Sequence, residues 1–199
     1  MKPKLLNLIA VIMLLLLCNF LKSCAPNYAI RLSSVESPAD ARQQFGETKV
    51  VNFKEGNISK YRYSDDYIDI VWFVSSKHFN FELINKSNHT IKINWDDVSY
   101  VDVNGKTGRV MHAGVKYIDR NSSQPATSIP KKAKISDLLL PTDNVYLIPG
   151  QYGGWNEKDL ISSKDVGKKM IILMPIVIHN IQNDYIFEFK IDALMEPTK

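Results

Sequence analysis

Apolar and polar residues alternate along much of the chain with the period of two that a β-strand imposes, because successive strand side chains point to opposite faces. Phe79-Asn80-Phe81-Glu82-Leu83 alternates this way, as does Ile91-Lys92-Ile93-Asn94-Trp95. The polar cluster Asn85-Lys86-Ser87-Asn88-His89 lies between them. Such residues favour turns, so the pattern predicts a hairpin. A second hairpin is predicted from residues 98–103 and 109–112. Asn104-Gly105 between them suits a type I′ turn, which needs positive φ at both central positions. Residues 67–74 are rich in β-branched and aromatic side chains and read as a largely buried strand, and 50–53 as a short one.

Near the end, residues 170–178 are strongly apolar, 180–184 read as a turn, and 185–191 alternate around Glu188 and Lys190. Pro175 has no N–H for a ladder and predicts an edge position or a bulge. Helical signals are confined to 157–160 and 162–166, each long enough only for a turn or short helix. Many short strands separated by turn residues predict an all-β domain, a β-sandwich with long loops, over residues 49–199.

The front of the chain breaks this pattern. Lys2 and Lys4 precede a nearly continuous apolar run from Leu5 to Phe20, the shape of a secretory signal peptide. A spanning helix needs about 20 apolar residues, and this run is shorter and holds Asn7 and Asn19. Residues 25–48 carry few large apolar side chains and read as a flexible tether following Cys24.

Leu21-Lys22-Ser23-Cys24 resembles the bacterial lipobox, with Leu21, Ser23 and Cys24 matching and Lys22 departing as in the relaxed Bacteroidota form. The resemblance implies cleavage after residue 23 and acylation of Cys24, and two or more acyl chains make anchoring stable. An ordinary cleaved signal and an uncleaved helical anchor are the alternatives. Ala25 is not the aspartate of an inner-membrane retention signal, and no acidic run follows the cysteine. By the same resemblance, these features imply the outer membrane and its periplasmic face. The segment from Phe81 to Ile93, Phe-x-Leu-x-Asn-Lys-Ser-x-x-Thr-Ile-x-Ile, is similar to the strand–turn–strand of immunoglobulin-like bacterial exported domains. That likeness implies an immunoglobulin-like sandwich.

Charge then narrows the function. The net charge is +4, but Lys2, Lys4 and Lys22 fall in the leader. Without them, 22 basic residues stand against 21 acidic ones, a net charge of +1. A nucleic-acid binder needs a basic surplus on one face, so no nucleic-acid partner is expected. Cys18 and Cys24 are the only cysteines, so none is left to pair with Cys24 after cleavage.

No nucleophile elbow, phosphate-binding glycine loop or His-Glu-x-x-His motif occurs. His78, His89, His112 and His179 are not spaced as a metal pair, and Asp65-Asp66 and Asp96-Asp97 are isolated acid pairs. No metal and no cofactor are expected. An enzyme reading would require a histidine beside a carboxylate in a deep cleft, His112 being the candidate.

Two long loops carry the recognition candidates: residues 119–132, with Arg120, and residues 138–155, with Tyr146, Tyr152 and Trp155. Exposed tyrosine and tryptophan suit a protein partner or a sugar ring. Alternatively, Tyr152 and Trp155 fold back as lids on the core. The expectation is a membrane-anchored, non-catalytic accessory or scaffold subunit that binds an envelope protein in an assembly, secretion or transport complex. The alternative is a lipoprotein that binds a glycan or small ligand through its loop aromatics.

Overall fold

A computed structural model describes residues 28–36, 49–56 and 58–193. The leader, Cys24 and most of the expected tether lie outside them. Residues 28–36, which the sequence assigns to the tether, form a strand instead, β1 (Tyr28–Glu36). After it come β2 (Lys49–Glu55), β3 (Ile58–Ser64), β4 (Ile68–Val74) and β5 (Phe79–Asn85). Shorter strands follow: β6 (Ile91–Ile93), β7 (Ser99–Val101), β8 (Thr107–His112) and β9 (Thr127–Ile129). Next are β10 (Lys134–Pro141), β11 (Val145–Ile148) and β12 (Gly154–Glu157), and the chain closes with β13 (Lys169–Ile178) and β14 (Ile181–Ala193). Among the described residues the helical segments are single 3₁₀ turns; Ser163–Asp165 falls within the expected 162–166, whereas 157–160 holds none and Glu157 ends β12.

The protein is all-β. Its main sheet is one antiparallel path, β1-β14-β13-β7-β8-β10-β5-β4-β3-β2, with β6 against β13 and β9 against β6. β1 returns to lie against β3 and β4, so the sheet is nearly closed and resembles a barrel. The immunoglobulin-like two-sheet arrangement expected from sequence is not confirmed. The path bends at β8: Thr107, Gly108 and Arg109 pair with β7, whereas Val110, Met111 and His112 pair with β10. One strand thus joins the β7 side of the path to the β10 side.

The sheet wraps an aromatic core. Ile68, Ile70 and Trp72 of β4, Phe79, Phe81 and Leu83 of β5, and Tyr185, Phe187, Phe189 and Ile191 of β14 are buried at alternate positions. Trp72 packs 5.0 Å from Phe187 and 5.5 Å from Phe189, ring centroid to centroid. Each such buried side chain is worth roughly 1.5–3 kcal/mol in removed apolar surface.

The predicted hairpin around Asn85–His89 is not one. β5 pairs with β4 and β10, β6 pairs with β13 and β9, and residues 85–90 cross from one part of the sheet to another. Buried Asn85 makes this crossing, because its Nδ2 donates to the carbonyls of His89 (2.7 Å) and Ile129 (3.0 Å). Its Oδ1 accepts from Ser87 N at 2.9 Å and Ser87 Oγ at 2.6 Å. The polar cluster satisfied the composition of a turn while serving a crossover.

The β7–β8 hairpin forms as expected but with a different turn. Gly105 has φ +82°, Asn104 is not among the positive-φ residues, and Asp102 N donates to Lys106 O at 2.9 Å. This is a three-residue loop with glycine in the left-handed position, a bulged type I turn. The type I′ signature occurs at His179-Asn180, with φ values of 52° and 63°, joining β13 to β14. Pro175 lies in a strand with neighbours on both sides, opposite the gap between the segments paired to β7 (Ile171–Leu173) and β6 (Ile176, Val177). The missing N–H falls where the ladder is already interrupted.

Asp65 ties the β3–β4 turn to β14. Its Oδ1 accepts from Tyr67 N (2.8 Å) and Ile68 N (2.7 Å), and its Oδ2 from Tyr63 OH (3.1 Å) and Tyr185 OH (2.9 Å). Burial raises its pKa, and the four donors offset that only in part.

Candidate functional site

β11 and β12 form a separate two-stranded sheet outside the main path. Their register sets Leu147 opposite Trp155 and Tyr146 opposite Asn156. Trp155 and Leu147 therefore share one face, while Tyr146 and Ile148 share the other. Leu147 is 55% exposed, Tyr152 at the connecting turn is 96% exposed, and Tyr146, Ile148 and Trp155 are exposed as well. Both faces of the hairpin thus present apolar surface to solvent. Tyr152 does not fold back on the core.

Polar contacts fix the base of the hairpin. Glu157 Oε2 meets His78 Nε2 at 3.1 Å, and Glu157 Oε1 accepts from the Tyr117 hydroxyl. Burial pushes the Glu157 pKa up, but its bonds to Tyr117 and His78 outweigh burial and hold it below the usual carboxylate range. The same bond raises the Tyr117 pKa. Lys158 N donates to Asn144 O at 2.8 Å and closes the base. Arg120 lies over the Trp155 ring, 5.1 Å from its centroid, and Tyr117 meets that ring edge-on at 6.1 Å.

Beneath the hairpin is a cavity of about 290 Å³ whose polar wall is His78, His112, Tyr117 and Glu157, and whose floor includes Met111 and Leu140. His112 stacks on Trp95 with centroids 4.2 Å apart, and its Nδ1 is 3.2 Å from Asp137 Oδ2. Asp137 Oδ1 also accepts from Ala113 N and Leu138 N, both at 2.8 Å. The histidine–carboxylate pair sought for an enzyme reading is therefore present. Among the described residues, however, no serine or threonine hydroxyl is hydrogen-bonded to either histidine ring, and no three metal-ligating side chains converge. Chemically, the carboxylates orient the imidazoles and hold loops in place.

The polar loop after residue 119 is strapped to the body. Arg109 donates to Asn121 O (2.8 Å) and to Asp96 Oδ1 (2.7 Å), and Asp96 also accepts from Gln124 N (3.1 Å) and the Ser123 hydroxyl. Trp95 Nε1 donates to Thr127 Oγ1 at 2.8 Å.

Of the residues singled out from sequence, Arg120 and Trp155 meet. Tyr146 is on the opposite face of the hairpin, with Lys158 Nζ 5.6 Å from its ring centroid, and Tyr152 is at the turn. Cys24 lies outside the described residues. Sequence reasoning missed Leu147, Ile148 and the Tyr117–Glu157–His78 chain. A signal for the first two existed: consecutive apolar residues on a strand cannot share a face.

The fold defines the class as an all-β domain built on a nearly closed antiparallel sheet. No protein-family model matches the chain, and no curated protein matches it. Among solved structures it is similar to the X-ray structure of a Northeast Structural Genomics Consortium target, SoR45, at 16% identity over 85% of this chain and 92% of that one, with a TM-score of 0.30.

Proposed function

We propose that the protein is a lipoprotein anchored through Cys24 at the periplasmic face of an outer membrane, and that it is a non-catalytic accessory subunit of an envelope complex. The β11–β12 hairpin engages the protein partner. The observation that carries this reading is the hairpin itself, an apolar two-faced element outside the main sheet. Exposed apolar surface of this kind marks interaction sites, and the Glu157 contacts hold it in one orientation, which lowers the ordering cost of binding. The finer architectural reading, an immunoglobulin-like sandwich, is supported by the aromatic core that the sheet wraps and the split pairing of β8.

The glycan alternative has less support. Arg120 already occupies a face of Trp155, and Tyr146 points the other way, so the aromatics do not form one platform.

Mass spectrometry of the membrane-extracted protein beside Cys24→Ala tests the anchor, with di- or triacylated Cys24 expected. A photo-crosslinker at residue 152 tests the hairpin. A single stoichiometric envelope protein is expected, and the double variant Leu147→Asp/Ile148→Asp should lose it while keeping its near-ultraviolet spectrum. An unlipidated chain, or a crosslinked partner retained by the double variant, would refute the corresponding half.

A further inference from the structure

β2 ends the sheet path, and among the described residues its far edge has no strand partner. Edge strands usually carry bulges, prolines or a covering element that block pairing with another chain. β2 has none of the first two: Lys49-Val50-Val51-Asn52-Phe53-Lys54-Glu55 pairs with β3 in unbroken register from Lys49↔Ser64 to Glu55↔Ile58. It carries exposed apolar residues on both faces, since Val50, opposite Tyr63, is 46% exposed and Phe53, opposite Lys60, 37%, and Ile58 is also exposed. On its outer face, Val51, Phe53, Arg62 and Ser64 line an open depression of about 480 Å³.

The sequence of β2 is complementary to itself when reversed. In an antiparallel pairing centred on Asn52, Asn52 faces its own copy, Val51 faces Phe53, and Val50 faces Lys54. No two like charges of the sequence fall opposite each other in this register. Centring on Phe53 instead would set Val51 against Glu55 and leave Lys49 and Val50 without partners. The Asn52-centred register uses all seven residues. It places Val51 and Phe53 of both chains on one face, where cross-strand apolar pairs stabilise a sheet.

We propose that β2 is a homodimer interface, with a second copy of this chain paired antiparallel about a two-fold axis through Asn52. The two main sheets become continuous across that axis, and the contact is isologous, so it closes at two. The proposal does not depend on the anchor or on the β11–β12 hairpin.

Single cysteines in the full-length chain test it under mild oxidation, on non-reducing gels. Facing residues in an antiparallel pair lie about 4.5–5.5 Å apart at Cα, within disulfide reach. Asn52→Cys should therefore yield a covalent dimer. Val50→Cys alone and Lys54→Cys alone should not, because each lies four residues from its own copy, about 14 Å at strand rise. Mixing the Val50→Cys and Lys54→Cys chains should restore the crosslink. The unsubstituted chain run alongside reports any bridge through Cys18 or Cys24. Phe53→Lys, at an exposed position, should weaken dimerisation at least about tenfold in sedimentation equilibrium by setting like charges across the axis. A chain that stays monomeric, or a dimer whose crosslinks follow another pattern, would overturn the proposal.

Discussion

Replacing Asp65 with alanine should be among the most damaging single changes in the protein. The carboxylate accepts four hydrogen bonds, two from backbone N–H groups of the β3–β4 turn and two from Tyr63 and Tyr185. Asp65→Ala removes the acceptor that all four bonds share, and each buried hydrogen bond lost this way costs up to about 1–3 kcal/mol. Turn relaxation and water entry recover part of this, which leaves about 3–5 kcal/mol, a large fraction of a typical domain's stability of roughly 5–15 kcal/mol. Asp65→Asn keeps an acceptor for the two backbone donors and should cost about 1–2 kcal/mol. Urea unfolding followed by tryptophan fluorescence measures both, with the midpoint moving and the slope unchanged. The wild type should also show a pH signature. The folded pKa is raised above the unfolded value, so the folded state holds its proton more tightly. Stability then falls as pH rises from the unfolded pKa through the raised folded pKa, and is flat above it. Asp65→Asn should abolish that slope. A loss below about 1 kcal/mol for Asp65→Ala would refute the idea that this carboxylate ties the β3–β4 turn to β14.

Three further outcomes follow from the same structure. Among the described residues Trp72 Nε1 is buried without a hydrogen-bond partner, so Trp72→Phe removes an unsatisfied donor and should cost less than about 1.5 kcal/mol by urea unfolding, against about 3–5 for Trp72→Ala. Gly105→Ala should cost roughly 1–2 kcal/mol in the same assay, because φ is +82° although no atom of the described residues lies within 4 Å of the added carbon. Lys168 and Ser162 hold the Asp165 pKa down to about 2, so the stability it contributes is present above its unfolded pKa and is lost as pH falls through about 2. Carboxyl-carbon NMR should find that midpoint, and Lys168→Met should move it upward.

The strands were legible where one face is buried and the other wet. Phe79, Phe81 and Leu83 alternate with Asn80, Glu82 and Ile84 in sequence as they do in β5. What pairs with what was not legible, because register and partner are set by three-dimensional packing rather than by neighbouring residues. Asn85–His89 has the composition of a tight turn, yet Asn85 uses its amide to hold a crossover. His179-Asn180 lacks the glycine expected of a type I′ turn but adopts its dihedrals, since ten consecutive β13–β14 pairs leave two residues to reverse the chain. β1 was hidden because its apolar residues are spread thinly among Arg31, Ser33 and Ser34, and a strand paired on one edge needs little more. At the candidate site, the aromatic types in the loops were visible, but their faces depended on a β11–β12 register that composition does not encode.

The two proposed surfaces can operate together. The hairpin is held by His78, which immediately precedes β5, whereas the dimer edge is β2, three strands away in the sheet. At about 4.8 Å per strand that is roughly 14 Å, enough for pairing at β2 to leave the Glu157 contacts untouched. A two-fold dimer would therefore present two copies of the β11–β12 hairpin on one anchored unit. Linked sites raise avidity without any new contact when the partner is also repeated, so each hairpin could be individually weak. The consequence is measurable: Phe53→Lys, which touches nothing in the hairpin, should reduce partner retention at the membrane, whereas partner retention unchanged by loss of dimerisation would show that the two surfaces act separately.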